Sequence, residues 1–376
     1  MSATPTPNLI DTHETVVIFG GGIAGATLAK SLVRNFSVML VDPRDFIEVP
    51  MAATRVIVDP DLAGPATIAF AEALVGVRHV QGRLAEWTRD GGRVELADGA
   101  QAVISGNVTV LATGSRHANP LMRASAGTME ERRTLYRRYN VRIMEAEKIL
   151  IVGGGPIGVE IAGEISEAWP EKSITLIERG ERFLKGSSKE LACEATRILE
   201  ARGVTVITGE SLTSQPSTDP FAEGGAVMTN KGRVIDYALL IWATGGQPET
   251  AFMREHYAAL LDEAGRLRVD PQLRVKGLTN VFAVGDINDV AENKMAVHIL
   301  GQAKTAETNI RAILTGRGAL AAYKAKTGNP MMLLALGRQT GVSHLPIFGV
   351  VKAGWLNRMI KTRDMLVPRF RKAFGL

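Results

Sequence analysis

One motif occurs twice in this chain, and the repeat constrains the fold more than any other feature. Residues 14–32 read ETVVIFGGGIAGATLAKSL, and residues 148–165 read KILIVGGGPIGVEIAGEI. Each has an apolar β-branched run, a glycine-rich turn, then a helical pattern with small residues. A second pair keeps the same order: NVTVLATGS at 107–115 and YALLIWATGG at 237–246. Strand, GxGxxG turn, helix and a later ATG, twice over, predict an α/β protein built from two Rossmann-like dinucleotide-binding units.

The glycines are required for physical reasons. Gly20 and Gly153 permit the tight turn. Gly22 and Gly155 let backbone approach a pyrophosphate. Gly25 and Gly158 let helix and strand pack closely. The phosphate then rests on free N–H groups at the positive end of the helix dipole. Each copy should also end its second strand with an acid that binds a ribose hydroxyl. FSVMLVD ends at Asp42, and SITLIE ends at Glu178. The ATG turns add Thr113 and Gly114 to the first site, and Thr244 and Gly245 to the second.

A third feature breaks the symmetry. Residues 279–289, TNVFAVGDIND, resemble the second flavin fingerprint of flavoproteins with two dinucleotide-binding domains. The resemblance implies that Gly285 and Asp286 contact the ribityl–pyrophosphate part of FAD. The first copy then binds FAD, and the second, inserted into it, binds NADH or NADPH. Glu178 favours NADH, because a carboxylate bonds a free 2′-OH and repels a 2′-phosphate. Arg179 and Arg182 follow closely and leave NADPH open. Glu160 lies just after Gly158, where a glutamate in this superfamily often faces the nicotinamide–flavin gap.

The expected organisation is an FAD-binding domain at 1–115 and 246–312 and an NAD(P)H-binding domain with its connector at 116–245. A small α+β extension at 313–376 completes it. The connector carries EERRTLYRRYN, read as solvated.

Composition narrows the chemistry. The chain has 376 residues and one cysteine, Cys193. That excludes a disulfide framework and an all-cysteine metal site. PRDFIEVPMAATRVIV, after Asp42, offers no cysteine beside a flavin, and Cys193 reads as a small, semi-buried helix residue. Disulfide reductase and thiol peroxidase activities are therefore excluded, and electrons must leave the flavin for a diffusible acceptor. The six histidines form no HxxxH or HExxH spacing, so no metal site is expected. His298 lies in the helical segment after the Gly-Asp fingerprint, with Lys294 and Gln302 near the same face. That helix would aim its N-terminus at the flavin. The start of the chain lacks a signal-peptide pattern and has Ser2 where N-myristoylation needs glycine. No window is apolar enough for a membrane span.

The formal net charge is +5. Residues 352–376 hold seven Lys/Arg and one Asp, so the other residues sum to about −1. A helix within 347–364 would put Trp355, Leu356, Met359 and Ile360 on one arc. Cations interleaved with aromatics suit an anionic bilayer surface. Packing on the fold or on a second subunit is the alternative, and nucleic acid is the weakest reading.

The order GGGIAG, VLATGS, VGGGPIGVEIAGEI, IWATGG, NVFAVGDIND resembles the apoptosis-inducing-factor and type II NADH dehydrogenase superfamily. GEISEAWPEKSITLIERGERFL, KMAVHILGQA and LLALGRQTGV … IKTRDMLVP are similar to its ferroptosis suppressor group. The resemblance implies an FAD-dependent NAD(P)H:quinone oxidoreductase, peripherally membrane-associated in the cytoplasm. Hydride would pass to flavin N5 and two electrons then to a ubiquinone- or vitamin K-type quinone. It also implies that Glu160 and Lys361 act near the nicotinamide–flavin–quinone site, with Lys361 steadying charge on the reduced ring. Two other readings stay open: a reductase of an iron–sulfur protein, and a nucleotide-sensing flavoprotein with a nucleic-acid-binding tail.

Overall fold

A computed structural model describes residues 15–88, 91–117, 119–121, 127–328, 331–345 and 347–376, and the backbone of Asn8–Leu9. Ser2 and its surroundings lie outside the described residues.

Two sheets repeat one topology. In the first, Val16–Phe19 pairs in parallel with Val38–Asp42 on one side and Val108–Leu111 on the other. In the second, Lys148–Val152 pairs in parallel with Ser173–Glu178 and with Leu239–Trp242. Every residue of Val16–Phe19, Val38–Asp42 and Val108–Leu111 is buried, as a parallel sheet covered on both faces demands. The crossover helices are Ile23–Leu32 and Pro156–Ala168. The chain then returns to the first sheet, where Val281–Ala283 pairs in parallel with Val108–Leu111. The long helix Ala296–Thr315 packs its Ala303, Ala306 and Ile310 into one core with Leu28 and Ala29. It stops at Gly316, whose φ of +66° is a left-handed cap that glycine adopts without strain.

The stretch read as a solvated connector is the helix Met129–Glu145, and one face of it is buried. Arg132 donates to both oxygens of Glu48, at 3.0 and 3.1 Å, and the Tyr136 hydroxyl also donates to Glu48. The counter-charge comes from the distant strand Phe46–Glu48, so local charge density misreads the segment.

The extension opens with an antiparallel sheet, Met332–Ala335, Gly341–Leu345 and Gly349–Val351. The helix expected within 347–364 occupies only its second half. Val350 and Val351 are β-branched and join the sheet, and helix begins only at Gly354, widening into a π-helical turn at Arg358–Thr362. The final helix, Val367–Ala373, packs back on the molecule. Phe374 is buried in the core under the first sheet, and Arg371 faces Glu72.

Candidate functional site

The two glycine loops are superimposable in their logic. A Cβ on Gly25 would overlap the Gly20 carbonyl, and one on Gly158 would overlap the Gly153 carbonyl. A Cβ on Gly20 or Gly153 would strike the carbonyl of Ala112 or Ala243, just before each ATG threonine. Gly22 and Gly155 differ, because a Cβ there meets no protein atom within 4 Å. Both are helix N-caps without a side-chain cap, and neither helix has an acid in its first turn. The free N–H groups and the open cradle fit a pyrophosphate in each copy.

The acids that end the two second strands, Asp42 and Glu178, are not equivalent. Asp42 accepts from Gly21 N at 2.6 Å and Arg44 N at 2.9 Å, and the Arg44 guanidinium grips it at 2.8 and 2.9 Å. Burial works against its charge, but Arg44 and the two amides outweigh it and hold the carboxyl below its usual range. A carboxylate has about four acceptor positions, and all four are taken. Arg44 is thus the group of this pair with donors to spare, and it lines two cavities beside the first glycine loop, about 120 and 310 Å³. Glu178 is half-buried and, among the described residues, its carboxylate accepts from Gly154 N and Gly180 N alone, both at 2.8 Å, so it keeps capacity for a ribose hydroxyl. It lies in a cleft of about 970 Å³ with Arg179, Lys185, Thr244 and Gly245. Arg182 is turned inward onto the Ser187 carbonyl at 2.9 Å, leaving Arg179 and Lys185 as the exposed cations there.

Asp286 follows Gly285, whose φ is +87°. Its Oδ2 accepts from Ser115 Oγ at 3.0 Å, while Oδ1 is buried without a partner among the described residues. An orphaned carboxylate oxygen beside Gly22, Gly114 and Gly285 fits the polar chain of a dinucleotide. Thr113 instead donates to the Glu249 carbonyl at 2.7 Å, tying the ATG turn to the returning chain.

Between the cavities of the two glycine loops lies a further one of about 540 Å³. It shares Ile157 and Gly245 with the cleft at the second glycine loop, and Asp286 and Lys294 with the cavity of about 310 Å³ at the first. Met51, Met295, Met332, Leu334 and Leu366 give it an apolar wall, and Glu160 and Lys361 stand in it together. Lys361 Nζ lies 2.5 Å from Glu160 Oε1 and donates to the Leu333 carbonyl at 2.9 Å. Glu160 also accepts from Ala335 N at 2.9 Å and lies beyond the first helical turn, buried.

His298 is not among the residues lining these cavities. The helix begins at Ala296, two residues after Lys294, and this turns the ring onto the Asn293 carbonyl, 2.8 Å from Nδ1. Gln302 serves the Gly-Asp loop, accepting from Gly285 N at 2.8 Å. Lys294 alone of the three faces the cavities. Its ammonium caps the Asn288 and Val290 carbonyls, and burial and then the Arg266 charge lower its pKa. Cys193 is exposed on the helix Lys189–Ala201, not semi-buried, and lines none of these cavities.

Sequence reasoning missed Arg44, Arg55 and Glu164. Only Glu164 had a signal, since it follows Glu160 at the i, i+4 spacing of one helix face.

Paired dinucleotide cradles flanking a shared central cavity define a two-nucleotide flavin oxidoreductase. The chain belongs to the pyridine nucleotide-disulphide oxidoreductase family, whose model matches residues 14–309, and within it to the apoptosis-inducing-factor and ferroptosis suppressor group. It is 31% identical to mouse ferroptosis suppressor protein 1 over 94% of this chain and 93% of that protein. Apoptosis-inducing factor homolog B of Dictyostelium discoideum is 26% identical over 95% and 96% of the two chains. In fold it is similar to NDH2 from Plasmodium falciparum in complex with NADH. That match has a TM-score of 0.70 at 13% identity, covering 97% of this chain and 98% of that one. The protein is an FAD-dependent NAD(P)H oxidoreductase.

Proposed function

We propose that the protein is an NAD(P)H:quinone oxidoreductase whose acceptor enters the central cavity at a membrane surface. The observation that carries this is the methionine- and leucine-lined cavity joining both nucleotide clefts, with the Lys361–Glu160 pair in its wall. A pocket mostly apolar with one charged pair suits a flat, lipophilic ring with polar edges. Bound FAD supplies the redox chemistry, taking hydride from NAD(P)H and handing two electrons on. The overall reaction balances as NAD(P)H, quinone and one proton giving NAD(P)+ and quinol. Lys361 contributes the cation, and Glu160 and the Leu333 carbonyl hold its ammonium in place. A fixed cation stabilises developing negative charge more than a mobile one.

The membrane reading draws on the extension. Ile347, Phe348, Trp355 and Met359 are 89%, 76%, 71% and 60% exposed. Arg358 lies on the same helical segment as Trp355 and Met359, and Arg363 caps its end. No helix of the described residues is long and apolar enough to cross a membrane. We assign these side chains to insertion at an anionic interface rather than to a homodimer contact or to nucleic acid. Either nicotinamide is accommodated on this reading: Glu178 favours a free 2′-OH, and Arg179 and Lys185 await a 2′-phosphate.

Steady-state oxidation of NADH and NADPH against a panel of ubiquinone and vitamin K analogues, with and without anionic vesicles, tests the proposal. Quinone-dependent turnover raised by vesicles supports it. Turnover with an iron–sulfur protein and none with any quinone overturns it.

A further inference from the structure

Glu164 follows Glu160 by one turn of the helix Pro156–Ala168. It is 2% exposed, as is Arg55 on the short helix Ala53–Val56. Arg55 Nε and Nη2 donate to the two Glu164 oxygens, the second at 2.7 Å. Its remaining terminal nitrogen, Nη1, donates to the Thr362 carbonyl at 3.0 Å. Thr362 follows Lys361 directly and ends the π-helical turn. A carbonyl in the last turn of a helix has no donor within the helix. The chain beyond leaves the helical path, with Met365 and Leu366 at φ +52° and +63°. Arg55 supplies the missing donor.

We infer that Arg55 is a positioning residue for Lys361, a clamp that ties the Thr362 carbonyl to the Glu164 carboxylate and so fixes where the Lys361 ammonium meets Glu160. Two pairs four residues apart on one helix, Glu160–Lys361 and Glu164–Arg55, hold the C-terminal segment at two points. One point would leave a pivot; two fix orientation. Only a guanidinium suits this task, because its planar fork grips a carboxylate with two nitrogens and keeps a third for the carbonyl. The charges facing Glu164 are Arg55, Glu160 and Glu167, so without Arg55 the carboxylate would meet only like charge. The consequence for turnover rests on the proposed acceptor site; the clamp itself does not.

The test uses the FAD-loaded protein in three forms: wild type, the double variant Arg55→Met/Glu164→Met, and Arg55→Lys. The double variant strands no buried charge, whereas a single deletion leaves one uncompensated. Hydrogen exchange is read at the amides of Arg363 and Met365, which bond to the Arg358 and Lys361 carbonyls. Anaerobic mixing reads flavin bleaching by NADH and recovery of its absorbance with a short-chain ubiquinone analogue. In the double variant, exchange should rise at least roughly tenfold. Bleaching should stay within about twofold of wild type, and recovery should slow by about tenfold or more. Arg55→Lys should keep the ion pair yet lose the same protection. Wild-type exchange in the double variant overturns the inference. So does full protection in Arg55→Lys, because charge alone would then suffice. If no quinone restores the wild-type absorbance, the acceptor reading fails, while the exchange comparison still decides the clamp.

Discussion

The Lys361 ammonium lies 2.5 Å from the Glu160 carboxylate, joining residues 201 positions apart. Between them they bracket the strand Met332–Ala335, since Lys361 also bonds the Leu333 carbonyl and Glu160 the Ala335 amide. Three separate stretches of chain therefore meet at one charge pair on the cavity wall.

Removing the cation should separate two effects. In Lys361→Met the carboxylate keeps Ala335 N and, at 3.4 Å, Thr54 Oγ1, but loses its counter-charge. Breaking a buried pair costs roughly 3 kcal/mol, visible in thermal or denaturant unfolding. Quinone reduction should fall by about tenfold or more while NADH affinity stays within about twofold. Undiminished quinone turnover would remove Lys361 from the acceptor site.

The glycine loops make a contrast within one turn. Gly25→Ala places a methyl on the Gly20 carbonyl, a backbone atom that cannot swing away. Stability should drop by roughly 1–3 kcal/mol and the flavin should be lost on purification. Gly22→Ala meets no protein atom, and its φ of −71° is ordinary. That variant should unfold close to wild type yet retain less FAD, because only the ligand comes near. Equal flavin-to-protein absorbance ratios for Gly22→Ala and wild type would show that the cradle does not hold a pyrophosphate.

These loops were readable in the sequence because their chemistry is local: spacing alone puts Gly20, Gly22 and Gly25 around one turn. The parallel strands were readable for the same reason, as runs of Val, Ile and Leu between glycines. Long-range electrostatics were not. Arg132 looked solvated because its partner Glu48 lies 84 residues away. Arg55 carried no signal because neither Glu164 nor the Thr362 carbonyl is near it in sequence. Lys294 does not share a helix face with His298 because the helix starts at Ala296, a boundary that periodicity locates only to within a few residues.

Asp286 gives a sharper probe of the flavin site. Asp286→Ala removes the buried Oδ1 orphan along with the Ser115 hydrogen bond, so the flavin-free protein should lose no more than about 1 kcal/mol. FAD affinity should fall roughly ten- to hundredfold, the worth of a hydrogen bond to a charged group. Titration of flavin-free protein measures it, and an unchanged affinity would dissociate Asp286 from the ligand.

The exposed apolar side chains should respond as a membrane contact. Burying an aromatic is worth about 1.5–3 kcal/mol, so Phe348→Ser/Trp355→Ser should cut binding to anionic vesicles by roughly a hundredfold or more. Salt should weaken wild-type binding without abolishing it, since the apolar term is unscreened. If sedimentation instead finds a wild-type dimer that the variant dissociates, with vesicle binding unaltered, this face is an interface between copies.

Glu164 predicts a pH dependence of stability with a definite sign. Burial lifts its carboxyl from an ordinary 4.5 to about 7, with Arg55 pulling the other way and Glu160 and Glu167 adding to the rise. The folded protein thus holds this proton more tightly than the unfolded chain. Its contribution is complete below pH 4.5, fades as pH rises toward 7, and is gone above it, where the folded state carries a buried anion. The full swing is roughly 3 kcal/mol. Glu164→Gln cannot titrate, so the stability of wild type relative to this variant should fall between pH 5 and pH 8, measured by denaturant unfolding at fixed ionic strength. A flat difference would mean that the guanidinium keeps the carboxylate ionised throughout this range, outweighing the burial that pushes its pKa up.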